Sequence, residues 1–358
     1  MNNIADVDSN FKIESTIEKE GIRFFDVNCA PISLHGVYSE GGCFRRMPSE
    51  VAKTVNAGVS SLHTNTSGGR VRFRTNSPYI ALYAEMGYRA KFAHCTLACT
   101  AGFDMYIGER YVKTFVPSYD RDEVYEGIFE SGVTEMREYT INFPTYSNVN
   151  RLFVGIDEGA VIESPAPYTY EKPAVFYGSS ITQGGCASRS GNVYASAVSR
   201  YFDCDFINLG FSGSAKGERE MAEYIKTLDM SLFIYDYDYN APTIQHLADT
   251  HEPFFKIIRE SCPTLPIIIL PRPVYYVSGD AKKRRDIIYR TYENARAAGD
   301  ENVYFIENGE LTELCRGEGT VDNCHPNDLG FASMARAVIN VIEKNGIMKP
   351  KYTKGEKK

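Results

Sequence analysis

VFYGSSITQGG, residues 175–185, lies near the middle of a 358-residue chain. An apolar run stops at Gly178, Ser179 and Ser180 follow, and Gly184 and Gly185 close the segment. A buried strand that leaves through two small hydroxyl side chains has two readings. Either a turn serine caps the next helix, or a serine is raised as a nucleophile at a strand end. The neighbouring strands decide between these readings, and they also decide the fold.

Five short apolar runs of strand type occur in this half: PAVFYG (173–178), CDFINLG (204–210), SLFIYDYD (231–238), PIIILP (266–271) and NVYFIE (302–307). Helical stretches separate them. NVYASAVSRYF (192–202) sets Val193, Ala197, Val198 and Tyr201 on one face, and FASMARAVINVI (331–342) carries apolar residues at i, i+3, i+4, i+7, i+8 and i+11. Strands alternating with helices predict βαβ units and a parallel sheet covered on both faces. Ligands in such sheets bind beyond the carboxyl ends of the strands.

Up to about residue 170 the rhythm is different. RVRFRTNSPYIALYAEM (70–86) alternates apolar and polar residues on either side of Asn-Ser-Pro, which reads as a hairpin. GFDMYIGERYVKTFV (102–116) gives two strands around Gly108, and REYTINFPTYSNVNRLFVGIDEGAVI (137–162) continues the pattern. Short strands with frequent turns and no long amphipathic helix predict a β-sandwich. Three prolines in ESPAPYTYEKPAV (163–175) favour an extended connector. The expected division is therefore a β-sandwich over 1–170 and an α/β domain over 171–358.

The composition is that of a globular protein, 43% hydrophobic with 25 Tyr and 20 Phe and a net charge of −7. An acidic chain is poorly suited to nucleic acid or to an anionic membrane surface. KKRRD (282–286) is expected to be a solvated helix face. No run approaches the roughly 18 apolar residues that span a bilayer. MNNIADVDSNFKIES lacks the charged and apolar regions of a signal peptide, and nine cysteines are scattered without a disulfide-framework spacing, so a cytoplasmic setting is expected. KPKYTKGEKK (349–358) reads as a frayed tail.

Four post-strand or pre-helix segments fall at one end of the expected sheet. They are Gly178-Ser179-Ser180, Asn208-Leu209-Gly210-Phe211-Ser212-Gly213, Asp236-Tyr237-Asp238-Tyr239-Asn240, and Asp322-Asn323-Cys324-His325-Pro326. Together they supply the parts for acyl transfer. A serine hydroxyl needs a base to become a nucleophile. His325 can serve as that base, and Asp322, three residues earlier, can fix its tautomer and orientation. Pro326 and Asn327-Asp328 suit a helix start. The backbone N–H groups of Ser180 and Gly213 and the amide of Asn240 can hold an oxyanion.

These four segments resemble the blocks of the SGNH hydrolases, also called GDSL-type esterases, in which Ser, Gly, Asn and a closing Asp-x-x-His occur in that chain order. The resemblance spans residues 174–342. It implies that Ser180, rather than Ser179, is the nucleophile, with Gly213 and Asn240 in the oxyanion hole and Asp322 and His325 completing the triad. Two departures stand out: Ser179 takes the place of the family's Asp, and Asp238-Tyr239-Asn240-Ala241 replaces Gly-x-Asn-Asp. GFDMY (102–106) is similar to the Gly-x-Asp-Leu-Tyr segment of bacterial two-domain SGNH proteins. This implies a jelly-roll-like sandwich ahead of a three-layer, flavodoxin-like hydrolase domain, and an activity on acetylated saccharides.

The expected substrate is thus a small-molecule or oligosaccharide ester, cleaved without metal or cofactor. The rival readings are a lysophospholipase or thioesterase, and a catalytically silent carbohydrate-binding protein. Arg272, after the fourth strand, is a candidate for a substrate oxygen or for a carboxylate partner. Asp104 is a second candidate for substrate contact, although an Asp in such a segment more commonly satisfies loop amides. HCTLACTAG (94–102) offers His94, Cys95 and Cys99, but the second ligand pair of a zinc site is missing from the stretch, so strand alternation is the preferred reading. A homo-oligomer is compatible with all of this.

Overall fold

The computed structural model describes residues 16–120 and 123–352. The leader reading of residues 1–15 and most of the tail reading fall outside them.

The N-terminal half is a sandwich of two antiparallel sheets. One has the strand order Ile22–Asp26, Val149–Asp157, Tyr79–Met86, Val124–Glu130. The other runs Ile162–Glu163, Arg70–Thr75, Arg137–Asn142, Phe103–Ile107, Arg110–Phe115, with Ser33–His35 also paired to Arg70–Thr75. Alternate residues of both sheets meet between them. Val71, Phe73, Met105 and Ile141 from one pack against Ile80, Leu82, Leu152 and Val154 from the other.

The hairpin expected over 70–86 does not form. Arg70–Thr75 and Tyr79–Met86 belong to opposite sheets, so the Asn-Ser-Pro segment is an arch over the sandwich edge. Both strands lie inside their sheets and are largely buried on both faces. The alternation predicted strands correctly, but alternation carries no information about which strand is the partner. Residues 94–99 also differ from expectation. They form a turn and then a short helix, Leu97–Thr100, whose first turn is capped by Thr96 Oγ1 accepting from Cys99 N–H.

The C-terminal half is a five-stranded, all-parallel sheet ordered Cys204–Gly210, Tyr170–Gly178, Leu232–Asp236, Ile267–Ile269, Val303–Phe305. In chain order this is 2-1-3-4-5, the doubly wound flavodoxin arrangement. Successive residues of the strand Tyr170–Gly178 serve opposite layers. Val175 and Tyr177 pack with helices Arg219–Ile225, Ile244–Ser261 and Gly279–Ala297 on one face. Ala174 and Phe176 pack with Tyr194–Phe202 and Asp328–Lys344 on the other. The chain reverses its winding between the strands ending at Gly178 and Asp236, which opens a crevice above their carboxyl ends.

The two halves share one packed interface. Two short helices of the N-terminal half, Ser49–Val55 and Ala57–Leu62, contribute Ala52 and Val59 to the core beneath the parallel sheet. The buried Arg46 guanidinium donates to the carbonyls of Asn208 (3.1 Å), Gly210 (2.6 Å) and Leu62 (2.7 Å). Asp104, fully buried, accepts from Asn142 Nδ2, Arg189 Nη1 and the Gly191 N–H, each at 2.8 Å. Arg189 also donates to the Tyr106 hydroxyl. The Asp and Tyr of GFDMY thus clasp the 189–191 segment of the α/β half. Asp104 is an interdomain anchor with its oxygens occupied, not a substrate contact.

Removing one partner of a buried charged cluster leaves the others desolvated and unpaired. Asp104→Ala is therefore expected to destabilise the protein by about 3 kcal/mol, read from the denaturant midpoint. His251 gives a second test. Desolvation holds this buried ring at about 3, below its usual value, against the weak opposing pull of Asp238 and Glu252. The unfolded chain takes up the proton first, so stability is full above pH ~6.5 and falls as pH drops towards 3. This group alone contributes a slope of about 1.4 kcal/mol per pH unit in that window. His251→Gln is expected to flatten the slope in denaturation curves measured between pH 6.5 and 4.

Candidate active site

The strand Tyr170–Gly178 passes directly into a four-residue helix, Ser180–Gln183. Ser179 caps it, its hydroxyl accepting from Ile181 N–H at 3.2 Å, while its own N–H donates to Asp236 O at 3.1 Å. The capping and nucleophile-like positions are therefore filled by adjacent serines. Ser180 is the first helical residue, and its hydroxyl is 2.8 Å from His325 Nε2. The helix lies so close to the neighbouring strand end that a Cβ at Gly210 would collide with the backbone of Thr182 and Gln183.

His325 arrives from a loop closed on itself by a bridge between Thr320 and Pro326. Asn327 then caps the helix Asp328–Lys344, its side chain accepting from Gly330 N–H at 3.1 Å. His325 Nδ1–H donates to Asp322 Oδ2 at 2.7 Å. Asp322 Oδ1 also accepts the backbone N–H groups of His325 (2.7 Å) and Cys324 (3.1 Å). Burial works to raise the Asp322 carboxyl, but these donors and the His325 ring together hold it below the usual carboxylate range. It stays ionised and fixes the imidazole with its second nitrogen towards Ser180. Ser180 is only 6% exposed. Side-chain exposure rises to 22% at His325 and 38% at Asp322, so the relay runs from the floor of the crevice to its rim.

Gly213 sits in the turn after the second strand with φ +66, a left-handed conformation that glycine adopts without strain, and nothing crowds its Cβ position. Asn240 donates one amide hydrogen to Phe211 O at 2.9 Å, tying its loop to that same turn. A side-chain amide has two donors, so one remains for a ligand.

Arg272 does not point at open solvent. It grips Asp238 through Nε (2.7 Å) and Nη2 (3.0 Å) and lies over the Tyr239 ring at 4.3 Å. Arg284 adds a contact to Asp238 at 3.2 Å. Of the two roles considered for Arg272, it takes the carboxylate partnership. The pair of arginines stabilises Asp238 at the position where the related blocks carry glycine, and so holds the Tyr239-Asn240 turn in place.

Two residues of this centre escaped the sequence reading. Gln183, fully buried, accepts from Ser212 N–H (2.9 Å) through Oε1 and donates through Nε2 to Asn65 Oδ1 and Thr145 O, both at 3.1 Å. Tyr146 from the sandwich donates its hydroxyl to Ser180 O at 3.3 Å. Burial raises the Tyr146 phenol well above its usual value and keeps it a donor. Both side chains gain their meaning from partners more than 28 residues away in sequence, and no local pattern marks them.

A buried serine bonded to a half-buried histidine, itself oriented by a carboxylate at the switch point of a parallel sheet, is the arrangement of an acyl-group hydrolase. Residues 171–343 match the model of the GDSL-like Lipase/Acylhydrolase family, and residues 22–162 match GxDLY, the N-terminus of Esterase_SGNH_hydro-type. The C-terminal half thus carries a GDSL-like lipase/acylhydrolase domain, and the N-terminal half a GxDLY domain of the SGNH-hydrolase esterase type. Among solved structures it is similar to a protein of Bacteroides ovatus assigned as a GDSL-like lipase. That likeness has a TM-score of 0.82 and 29% identity, covering 92% of this chain and 100% of the other. The fold is also shared with a family two carbohydrate esterase from Clostridium thermocellum (TM-score 0.62, 14% identity, 88% of this chain and 100% of the other). An acetyl xylan esterase from the rumen bacterium Butyrivibrio proteoclasticus shares it too (TM-score 0.61, 12% identity, 92% and 100%). No curated protein matches the chain.

Gln183 ties the Ser180 helix to the Ser212-Gly213 turn and to the sandwich. Gln183→Leu is expected to lower kcat on an ester substrate by about 10–100-fold with little change in KM, because it frees the Ser212-Gly213 turn from the Ser180 helix. Gln183→Glu, which retains the acceptor for Ser212, should recover part of the loss.

Proposed function

We propose that the protein is a serine esterase that removes short acyl groups, most simply acetyl, from carbohydrate esters. The observation that carries the reading is the continuous relay from Ser180 Oγ to His325 Nε2 (2.8 Å) and from His325 Nδ1 to Asp322 (2.7 Å). In this mechanism His325 takes the Ser180 proton as the hydroxyl attacks the ester carbonyl. The Ser180 and Gly213 N–H groups and Asn240 bind the oxyanion. The imidazolium then protonates the departing alcohol, leaving an acyl-serine. Water, deprotonated by His325, releases the acid.

The short acyl group is favoured by the setting of Ser180, almost fully buried beside Tyr146, His325 and the turn that carries Gly213. The carbohydrate is favoured by a cleft of about 270 Å³ that adjoins the His325 loop, lined by Asn323, Pro326, Tyr275 and Tyr276 among others. Tyr275 and Tyr276 stand edge to face with ring centroids 4.7 Å apart, and they are 40% and 81% exposed. Exposed rings with polar tips offer a surface on which a sugar ring can stack.

Hydrolysis of 4-nitrophenyl acetate by the wild type, Ser180→Ala and His325→Ala tests the mechanism. Each variant is expected to lose several orders of magnitude in kcat while retaining the wild-type circular dichroism spectrum. Near-wild-type turnover in either would reject the triad. Rates that climb steadily from acetate to octanoate esters would favour a long-chain acylhydrolase instead. Sugar binding with no turnover and no labelling by a fluorophosphonate would point to a silent binding protein.

A further inference from the structure

The stretch from His94 to Cys99 lacked a second ligand pair in sequence. In the fold, a partner arrives from the other domain. Cys186 follows the glycine pair that ends the Ser180 helix, and its backbone is left-handed at φ +70. A non-glycine residue held in that region is uncommon and costs strain. This conformation accompanies a distance of 3.6 Å between the Cys186 and Cys95 sulfurs. A ligand nitrogen of His94 lies within 4.8 Å of both.

The sulfur separation is informative. Two thiolates on one tetrahedral zinc, each at about 2.3 Å, stand roughly 3.8 Å apart. A disulfide requires about 2.05 Å. Both cysteines are free thiols here. Nitrogen and sulfur donors of this kind select zinc, cobalt or cadmium over magnesium or calcium.

We propose that His94, Cys95 and Cys186 form a binding site for a thiophilic divalent cation of the zinc type, assembled across the domain interface at the rim of the catalytic centre, and that its occupancy suppresses turnover. Binding forms two metal–sulfur bonds and one metal–nitrogen bond, and the two thiol protons leave to solvent. Three protein ligands leave a fourth tetrahedral position.

The link to catalysis is spatial. The His94 and His325 rings are 5.7 Å apart between centroids. His94, Asp322 and His325 offer a second set of ligand atoms that also lie within 4.8 Å of one another. A cation held by the first set sits beside the imidazole that must accept the Ser180 proton, and its positive charge disfavours the imidazolium. The binding site stands on its own geometry. Only the suppression rests on the esterase reading.

The experiment titrates Co²⁺ into the reduced, chelator-treated full chain and follows the near-ultraviolet absorption that arises when thiolate binds cobalt. One equivalent of cobalt is expected to saturate the band, and Mg²⁺ should give none. Cys95→Ser and Cys186→Ser should each abolish it, and His94→Ala should weaken cobalt binding at least tenfold. No band, or a band that survives in both cysteine variants, overturns the site whether or not the protein is an esterase. In parallel, stoichiometric Zn²⁺ should lower wild-type ester hydrolysis at least tenfold, reversibly with EDTA. Cys186→Ser should keep its basal rate and lose the zinc response. Undiminished turnover in zinc-loaded wild type, with the cobalt band intact, overturns the suppression.

Discussion

A single hydrogen bond between Ser180 and His325 joins residues 145 apart in the chain, and most of the architecture serves to make it. The serine must stand on a helix start at the end of one strand. The histidine must hang from a loop that is pinned before the last helix. Both conditions fix backbone rather than side chains. Gly210 lets the Ser180 helix settle onto the adjacent strand end. The bridge between Thr320 and Pro326 and the Asn327 cap set the height of the histidine loop. Asp322, held ionised by two backbone N–H groups as well as the ring, turns that loop into a rigid bracket.

The fold was readable in sequence to the extent that periodicity governs it. Strands alternating with amphipathic helices gave the parallel sheet, and period-two alternation gave the sandwich. Pairing was not readable in the same way. Arg70–Thr75 and Tyr79–Met86 look like the arms of a hairpin, yet they lie in opposite sheets, because a strand's pattern describes its faces and not its neighbours. The helix at Leu97–Thr100 was missed because four residues are too few to show a helical period.

For the site, the post-strand and pre-helix segments and their family resemblance nominated Ser180, Gly213, Asn240, Asp322 and His325. The structure brings the serine, histidine and aspartate into one hydrogen-bonded line. Arg272 and Asp104 were legible as unusual residues but not in their partnerships. Each faces a charge that sequence separates from it widely, Arg272 with Asp238 and Asp104 with Arg189. Gln183 and Tyr146 carried no signal at all, since a lone amide or phenol acquires a role only through tertiary contacts.

The polar groups at the base of the crevice bind the sandwich and the α/β half into one working unit. The Gln183 amide is satisfied by Asn65 and Thr145, Ser67 donates to Gln183 O at 2.6 Å, and Arg46 covers the carbonyls at the end of a parallel strand. Were the α/β half expressed by itself, those donors and acceptors would face water at the very place where the serine helix needs a firm seat. The β-sandwich is therefore part of the serine helix's foundation rather than a passenger joined only through the proline-rich connector.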